Sequence, residues 1–482
     1  MASFSALETA KRGLLAQKFG FEVTNNNIQN VNTPGYSRRT AVISESSPMI
    51  KTKGGFIGTG SLASSLRTFR EEIFDRDVRK SVAREASYNA EKSIYERIEG
   101  ILAEPSENGI NESVNKLFAA FEKASLNPQD VNLRENIIQT ASTFVDSIHN
   151  TAGMFFEARK DLYKDINGNI DQANQLIEQI SVLNKKIGYT KAEASVEAQS
   201  FVDERAMAIQ ELAKLTGAHA TQDDRGQMNV FIDGINVITG ADYSKLQLQE
   251  NVNATTGETT LILNTIGPKG NINGTANPIS GSLYSQMKAY NVTFDPNDSS
   301  GEYSVFSKIN EFVDTLATKF NDLTVTGYGL NDTGNTPPAR NFFLPDTATN
   351  SVTALNIQIN PDIKNDSANL PLADVALEPG NNNIARQIAR LANDSNFLNG
   401  QSPTGAYSSI LGKIGMMSSE SINGSKTMQL VVQQMESQRE SLIGVNLDEE
   451  AVSLIKFQRA FEASSKVVNT TNEILRTIIN LV

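Results

Sequence analysis

Residues Leu447–Val482 read LDEEAVSLIKFQRAFEASSKVVNTTNEILRTIINLV, and within them Leu447, Leu454, Phe461, Val468, Leu475 and Val482 stand seven apart. A seven-residue repeat keeps one stripe of an α-helix apolar, which is the geometry of a coiled coil. The other end of the chain carries the same spacing in Leu7, Leu14, Phe21 and Ile28. Neither stripe can be buried by a helix standing alone. Each needs a partner, and the nearest is the other end, followed by neighbouring copies. These residues are the candidate assembly interface. One narrow stripe does not offset the entropy of ordering two terminal segments, so both ends are expected to be disordered in the free monomer.

Composition sets outer limits. At 482 residues the chain is too long for a single core, so several domains are expected. Its net charge of −12 comes from 55 acidic and 43 basic residues without long like-charge runs. That argues against a nucleic-acid partner, which would require a basic stripe. No run of 18 apolar residues is present, so no membrane insertion is expected. Met1–Ala10 lacks a basic n-region, and no clean apolar stretch follows, so no cleaved secretory signal is expected. With no cysteine in the chain, disulfides, thiolate metal sites and cysteine nucleophiles are removed together.

The pattern along the chain predicts a mainly α protein with inserted β structure. A first helix spans about 3–31 and leads to Thr33, Pro34, Gly35 and Tyr36, which fit a type II turn with Pro second and Gly third. Before it lie Asn25, Asn26, Asn27, Asn30 and Asn32. Asparagine competes for backbone groups, so two readings stand: a fraying helix end, or a polar network fixing the exit of the chain. The stretch 41–65 is rich in Gly and Ser with some β character. Helical spacing then runs from about 66 to 102, 110 to 125, 129 to 187 and 192 to 215, the third with possible bends at Gly153 and Gly168. Strands are predicted at 227–232, 236–239, 245–249 and 259–266, with hairpin loops at 223–226 and 233–234. A linker over 267–281 precedes helices at 282–290 and 302–323. A loop-rich stretch with strands near 342–344 and 356–359 follows, and helices at 381–392 and 407–442 close the body.

The expected domains are therefore a terminal coiled coil (1–65 and 445–482), an elongated discontinuous helical bundle (66–216, 281–325 and 381–444) and a β-rich outer region (217–280 and 326–380).

Chemistry-bearing motifs are sparse. His149 and His219 are the only histidines and stand far apart without companions, so no metal site is predicted. Gly54, Gly55, Gly58 and Gly60 are not in the order of a dinucleotide loop. Three S-x-x-K matches, at Ser113/Lys116, Ser285/Lys288 and Ser453/Lys456, lack the companion elements of an acylating serine enzyme. Asp75 and Asp77 do not share a helix face and fit pairing with Arg79 or Arg76 better than catalysis. No catalytic residues, cofactor or metal are predicted.

The two ends also carry a resemblance. Residues 6–39 read ALETAKRGLLAQKFGFEVTNNNIQNVNTPGYSRR and resemble the N-terminal signature of the flagellar axial proteins of rod, hook and hook-associated type. Residues 447–482 resemble the matching C-terminal signature. Both stand at the extreme ends and in the right order. Lys18, Phe19 and Arg39 depart from the usual pattern.

Within the family the Thr33–Arg38 form and the long helices are most similar to the hook-associated members at the hook–filament junction. The alternative is a hook or distal-rod member, whose middle is mostly β. The resemblance implies a structural role, not an enzyme, and terminal helices forming an antiparallel coiled coil in the inner tube. It implies export through the flagellar type III apparatus without a cleaved signal, to an extracellular place in the flagellum. The partners it implies are other copies in a tubular ring, hook protein, hook-associated protein 3 and an export chaperone on the C-terminal helix. In this reading Asn26, Asn27, Asn30, Asn32, Thr33, Pro34, Gly35 and Tyr36 form a hinge between inner tube and body.

Overall fold

A computed structural model describes residues 2–33, 35–46, 50–52, 55–57, 59–68, 72–102, 109–189, 196–253, 259–268, 270–297, 302–346 and 351–480. The expectations for Pro34 and Val482, and part of the Gly54–Gly60 run, lie outside these residues.

The chain opens with helix α1 (Ala2–Gln29), followed by strands β1 (Arg39–Glu45), β2 (Ile50–Thr52), β3 (Gly55–Ile57) and β4 (Ser61–Thr68). Strand β1 pairs antiparallel with β4, and β2 with β3, as one ribbon folded back on itself. Four helices follow: α2 (Glu72–Leu102), α3 (Ile110–Leu126), α4 (Val131–Tyr189) and α5 (Val196–Thr216). Helix α4 has 59 residues, a length of about 88 Å at 1.5 Å per residue. It continues unbroken through Gly153 and Gly168. Its buried stripe runs Ile137, Ala141, Phe144, Ile148, Phe155, Leu162, Ile166, Ala173, Ile180 and Ile187, the spacing of one helix face.

Strands β5 (His219–Gln222), β6 (Met228–Ile232), β7 (Ile235–Thr239) and β8 (Asp242–Tyr243) form a meander in that order. Asp233 and Gly234 turn β6 into β7 with φ of 47° and 76°, the positive pair that a tight hairpin twist requires. The β5–β6 loop is held by the Asp223 carboxylate, which accepts from the N–H groups of Arg225 and Gln227 at 2.9 and 2.8 Å.

A second sheet has β10 (Thr259–Ile266) between β9 (Lys245–Val252) and β11 (Ile272–Thr275). The 267–281 stretch is thus not a plain linker. Its Asn- and Gly-rich middle pairs with the free edge of β10, Asn264 opposite Thr275, with a bulge at Ile266. Edge pairing needs only backbone groups, so composition alone did not reveal it.

Helix α6 (Ser282–Lys288) runs into a π turn (Ala289–Thr293), and α7 (Val305–Thr324) follows. Strands β12 (Phe343–Pro345) and β13 (Ile357–Ile359), the short helix α8 (Pro361–Asn365), a 3-10 turn (Ser367–Asn369) and α9 (Asn383–Leu391) lead to α10 (Pro403–Ile443) and α11 (Leu447–Asn480).

One core runs through the body. Phe118 and Phe121 of α3, Phe320 of α7, and Phe342 and Phe343 meet with ring centroids 4.7–5.8 Å apart. Residues from 326–380, among them Ile357, Leu370 and Leu372, belong to this same core. That segment closes the bundle more than it adds β structure, since its named strands are three residues each. The guanidinium of Arg134, buried without a carboxylate beside it, donates to the carbonyls of Pro128 and Leu370 at 2.6 Å each. Burial brings its pKa down to about 10.

Sheets and loops are clipped to the helices by asparagine amides acting as extra peptide groups. Asn174 of α4 bonds both backbone groups of Leu246, and Asn184 both those of Met228. Asn291 of the π turn does the same to Leu261. Asn321 of α7 accepts from the N–H groups of Phe342 and Phe343 and donates to the Phe343 carbonyl, at 2.8–2.9 Å. Both phenylalanines are fully buried, so these groups have no water to turn to. Asn321→Ala is expected to lower stability by about 2–4 kcal/mol, read from the urea midpoint of the full chain.

Candidate assembly joint

Helices α1 and α11 lie antiparallel, and three contacts spaced by one heptad give their alignment. Asn27 Nδ2 donates to Glu450 Oε2 at 3.0 Å. A Cβ on Gly20 would overlap the Phe457 ring, and one on Gly13 would lie 3.7 Å from Ser464 Oγ. The backbones approach closely because the residues on α1 at this line are glycines. A second side of α1 is covered by the β1–β4 ribbon, with Gly60 against Thr9 and Arg12 Nη1 donating to Ser46 Oγ at 3.2 Å.

The apolar residues expected at this interface are only partly covered within the pair. Leu7, Leu14 and Ile28 are half-buried, and Phe21 is 37% exposed. On α11, Leu454, Val468 and Leu475 are half-buried, while Leu447 and Phe461 are 50% and 36% exposed. The predicted stripe lies beside the line of closest contact, one residue along from Gly13, Gly20 and Asn27. Counting apolar side chains missed it because glycine contributes closeness and no area. The usable signal was the pair of glycines seven apart. Leu15, Val452, Ile455, Val467, Ile474 and Ile479 are each more than half exposed, so the pair keeps an apolar surface in water.

At the end of α1 the asparagines form a polar network. The Tyr36 hydroxyl lies 2.7 Å from Asn27 Oδ1 and 3.0 Å from Asn26 Oδ1 and donates to this pair. Asn27, itself fully buried, also donates to the Arg39 carbonyl at 2.8 Å, and its Oδ1 accepts from Arg39 N–H at 3.2 Å. Asn30 donates to the Asn26 carbonyl at 2.9 Å, and Thr33 Oγ1 to Asn30 Oδ1 at 3.2 Å. Asn32 and Thr33 face solvent. The Tyr36 N–H bonds the Thr33 carbonyl at 3.2 Å and Gly35 has φ of 77°, as a type II turn requires at its third residue.

Charged groups tie this turn to both neighbours. Arg38 donates to Glu450 and Glu449 of α11, at 2.7 Å each. Burial works against the charged guanidinium, and these carboxylates outweigh it, so the Arg38 pKa is raised. Arg39 pairs with Asp203 of α5 at 2.8 Å, with both side chains largely buried, and its guanidinium lies 4.8 Å from the Tyr36 ring centroid. Burial pushes the Tyr36 hydroxyl to about 12, opposed by Arg39. Further along, Asp75 of α2 pairs with Arg439 of α10 at 3.1 Å, and Arg76 with Asp77 at 3.5 Å. Glu450, Asp203 and Arg439 went unnoticed in the sequence because their partners stand hundreds of residues away or on another element.

Elsewhere, His149 lies partly buried on α4 and His219 exposed on β5. Among the described residues, no group of three or more His, Asp or Glu side chains is placed to hold a metal ion. No helix among them is long and apolar enough to cross a membrane.

A profile described as the flagellar hook-associated protein FlgK helical domain matches residues 95–343. The chain belongs to the FlgK family of flagellar hook-associated proteins. A second profile, the C-terminal region of the flagellar basal body rod FlgEFG proteins, matches residues 441–481, which contain α11. Flagellar hook-associated protein 1 of Bacillus subtilis (strain 168) is 22% identical, covering 99% of this chain and 98% of the relative. Its namesake in Escherichia coli (strain K12) is 23% identical, covering 99% and 100%. The solved structure of the flagellar hook junction protein FlgK from Burkholderia pseudomallei shares the fold, with a TM-score of 0.60 at 12% identity over 76% of this chain and all of that one. Members of this family are structural parts of the flagellum, and the chain assembles into its axial structure.

The turn carries a steric test. A Cβ on Gly35 would stand 2.6 Å from Met207 Cγ and Sδ. Gly35→Ala is expected to cost about 1–2 kcal/mol for the left-handed backbone, with the overlap in addition. Met207→Ala in the same chain should recover the overlap and leave the backbone cost, as read by calorimetry on concentrated full-length protein.

Proposed function

We propose that the chain is the structural junction protein that joins flagellar hook to filament, and that it works by self-assembly through its terminal helices. The observation that carries this reading is the α1–α11 pair. It is made from the two extreme ends of the chain, and its outward apolar residues stay exposed in a single copy. Such a surface is stable when neighbouring copies cover it. Leu7, Leu14, Phe21, Ile28, Leu447, Leu454, Phe461, Val468 and Leu475 flank the contact line, and together with Val482 they form the interface between copies in a tubular ring.

The turn from Asn26 to Tyr36 acts as the hinge that sets the helical body against this ring. The body, 66–216 with 281–325, 381–444 and the core-closing segment 326–380, forms the rod, and 217–280 faces outward. Hook protein lies on one side and hook-associated protein 3 on the other. An export chaperone holds α11 before secretion, and export follows the flagellar type III route to the cell exterior. The role is mechanical and requires no catalysis. A hook or distal-rod role is disfavoured by the long helices α2–α5 and by the family profile across them.

The deciding experiment is deletion of the gene. Cells are expected to carry hooks without filaments and to shed unpolymerised flagellin. Loss of the hook itself would move the protein to rod or hook, and normal motility would sink the reading. The assembly mechanism has its own check. In dilute monomer, amides near Leu14 and Leu475 are expected to show no helical protection by NMR, and stable helix there would contradict it.

A further inference from the structure

A seven-residue repeat pairs two helices without saying which heptad meets which. The ends of this chain have that ambiguity. Slide α11 by one heptad, about 10.5 Å, toward the start of α1. Phe457 then leaves Gly20 and drops onto Gly13, a glycine that also lies against Ser61 of β4. Ser464 comes to rest on Ala6, and the flanking repeat of Leu7, Leu14, Phe21 and Ile28 keeps its seven-residue spacing against α11. Along this contact line both alignments set Phe457 on a glycine and Ser464 on a small residue.

Charge distinguishes them. In the observed alignment the Glu450 side chain is 3% exposed, and two groups from the α1 exit hold it, Asn27 Nδ2 at 3.0 Å and Arg38 Nε at 2.7 Å. After the slide Glu450 would face Gly20, more than a helical turn from both donors. A buried carboxylate without partners is strongly unfavourable. Sliding the other way sets Phe457 on Asn27 and carries Glu450 past the end of α1.

We infer that Glu450 is the positioning residue that sets the register of the terminal helical pair, with Asn27 and Arg38 as its receptor. A single polar group in a coiled-coil seam is the device by which one register is chosen from several that are equally apolar. Glu450 also couples alignment to shape. Arg38 sits in the segment that leads into β1, so the helix register and the exit path of the chain are fixed by one carboxylate. The partner selected is the α1 exit of this chain's own kind. The flanking apolar residues remain free to meet neighbours without deciding the alignment.

The chain has no cysteine, so engineered pairs report register cleanly. Gly13→Cys with Ser464→Cys reports the observed alignment, since a Cβ at Gly13 meets Ser464 at ordinary contact distance. Ala6→Cys with Ser464→Cys reports the slipped one. Each pair is oxidised in full-length protein, concentrated in sulfate to favour burial, and crosslinks within one chain are counted by peptide mapping. With Glu450 present, the observed-register crosslink should exceed the slipped one at least about tenfold.

Glu450→Leu should bring the ratio to near one, and Glu450→Gln, which still accepts from Asn27 and Arg38, should keep most of the preference. An unchanged ratio in Glu450→Leu overturns the proposal, as does loss of both crosslinks, which would make Glu450 necessary for pairing and not for alignment. Both crosslinks forming equally with Glu450 present would overturn it too. The inference depends on the assembly reading only for where the helices are folded. The same pairs in dilute monomer report on that reading separately.

Discussion

A carboxylate cannot leave water without partners, and the structure is arranged so that Glu450 finds them only where the two ends of the chain meet. Asn27 comes from the last turn of α1, Arg38 from the segment after it, and Glu450 from the first turn of α11. One polar cluster thus joins three places that are far apart in sequence. The continuation is equally specific. Arg39, the next residue, reaches Asp203 on α5, so the charges pass from the terminal pair into the helical body without a break.

The two halves of the molecule are held by different physics. The body has an aromatic core in which Phe121, Phe320, Phe342 and Phe343 are fully buried, with asparagine amides fastening strands to helices. Such packing is stiff and chooses one arrangement. The terminal pair has Gly13 and Gly20 of α1 against Ser464 and Phe457 of α11 along its contact line, and most of its large apolar side chains lie to the flanks. Small residues allow close approach and contribute little burial area. A pair built this way gains stability from whatever covers its flanks. Between these parts, the lower stretch of α2 and α10 holds a small separate cluster of Val78, Val82 and Val432, closed by the Asp75–Arg439 pair.

Much of the fold was legible before any coordinates. Helix α4 shows its buried face as a run of Ile, Ala and Phe at helical spacing. The hairpin at Asp233–Gly234 follows from the backbone angles that only a few residues tolerate. Strand β11 was not legible, because an edge strand of Ile272–Thr275 pairs through backbone groups that every residue has. The site was half legible. The asparagine cluster and Gly35 stood out as unusual in a helix exit, whereas Glu450 looked like one more acidic residue at a helix start.

Residue order alone makes the two ends heptad helices, puts a turn after the first of them, and sets a mainly helical body with β insertions between. These are local matters, set by side-chain period and by the φ that proline and glycine permit. Which face of each terminal helix meets the other, and in which register, emerges once the chain is folded. A heptad repeat is the same after every seven residues. The choice therefore falls to contacts between Asn27, Arg38 and Glu450, which chain order alone does not bring together.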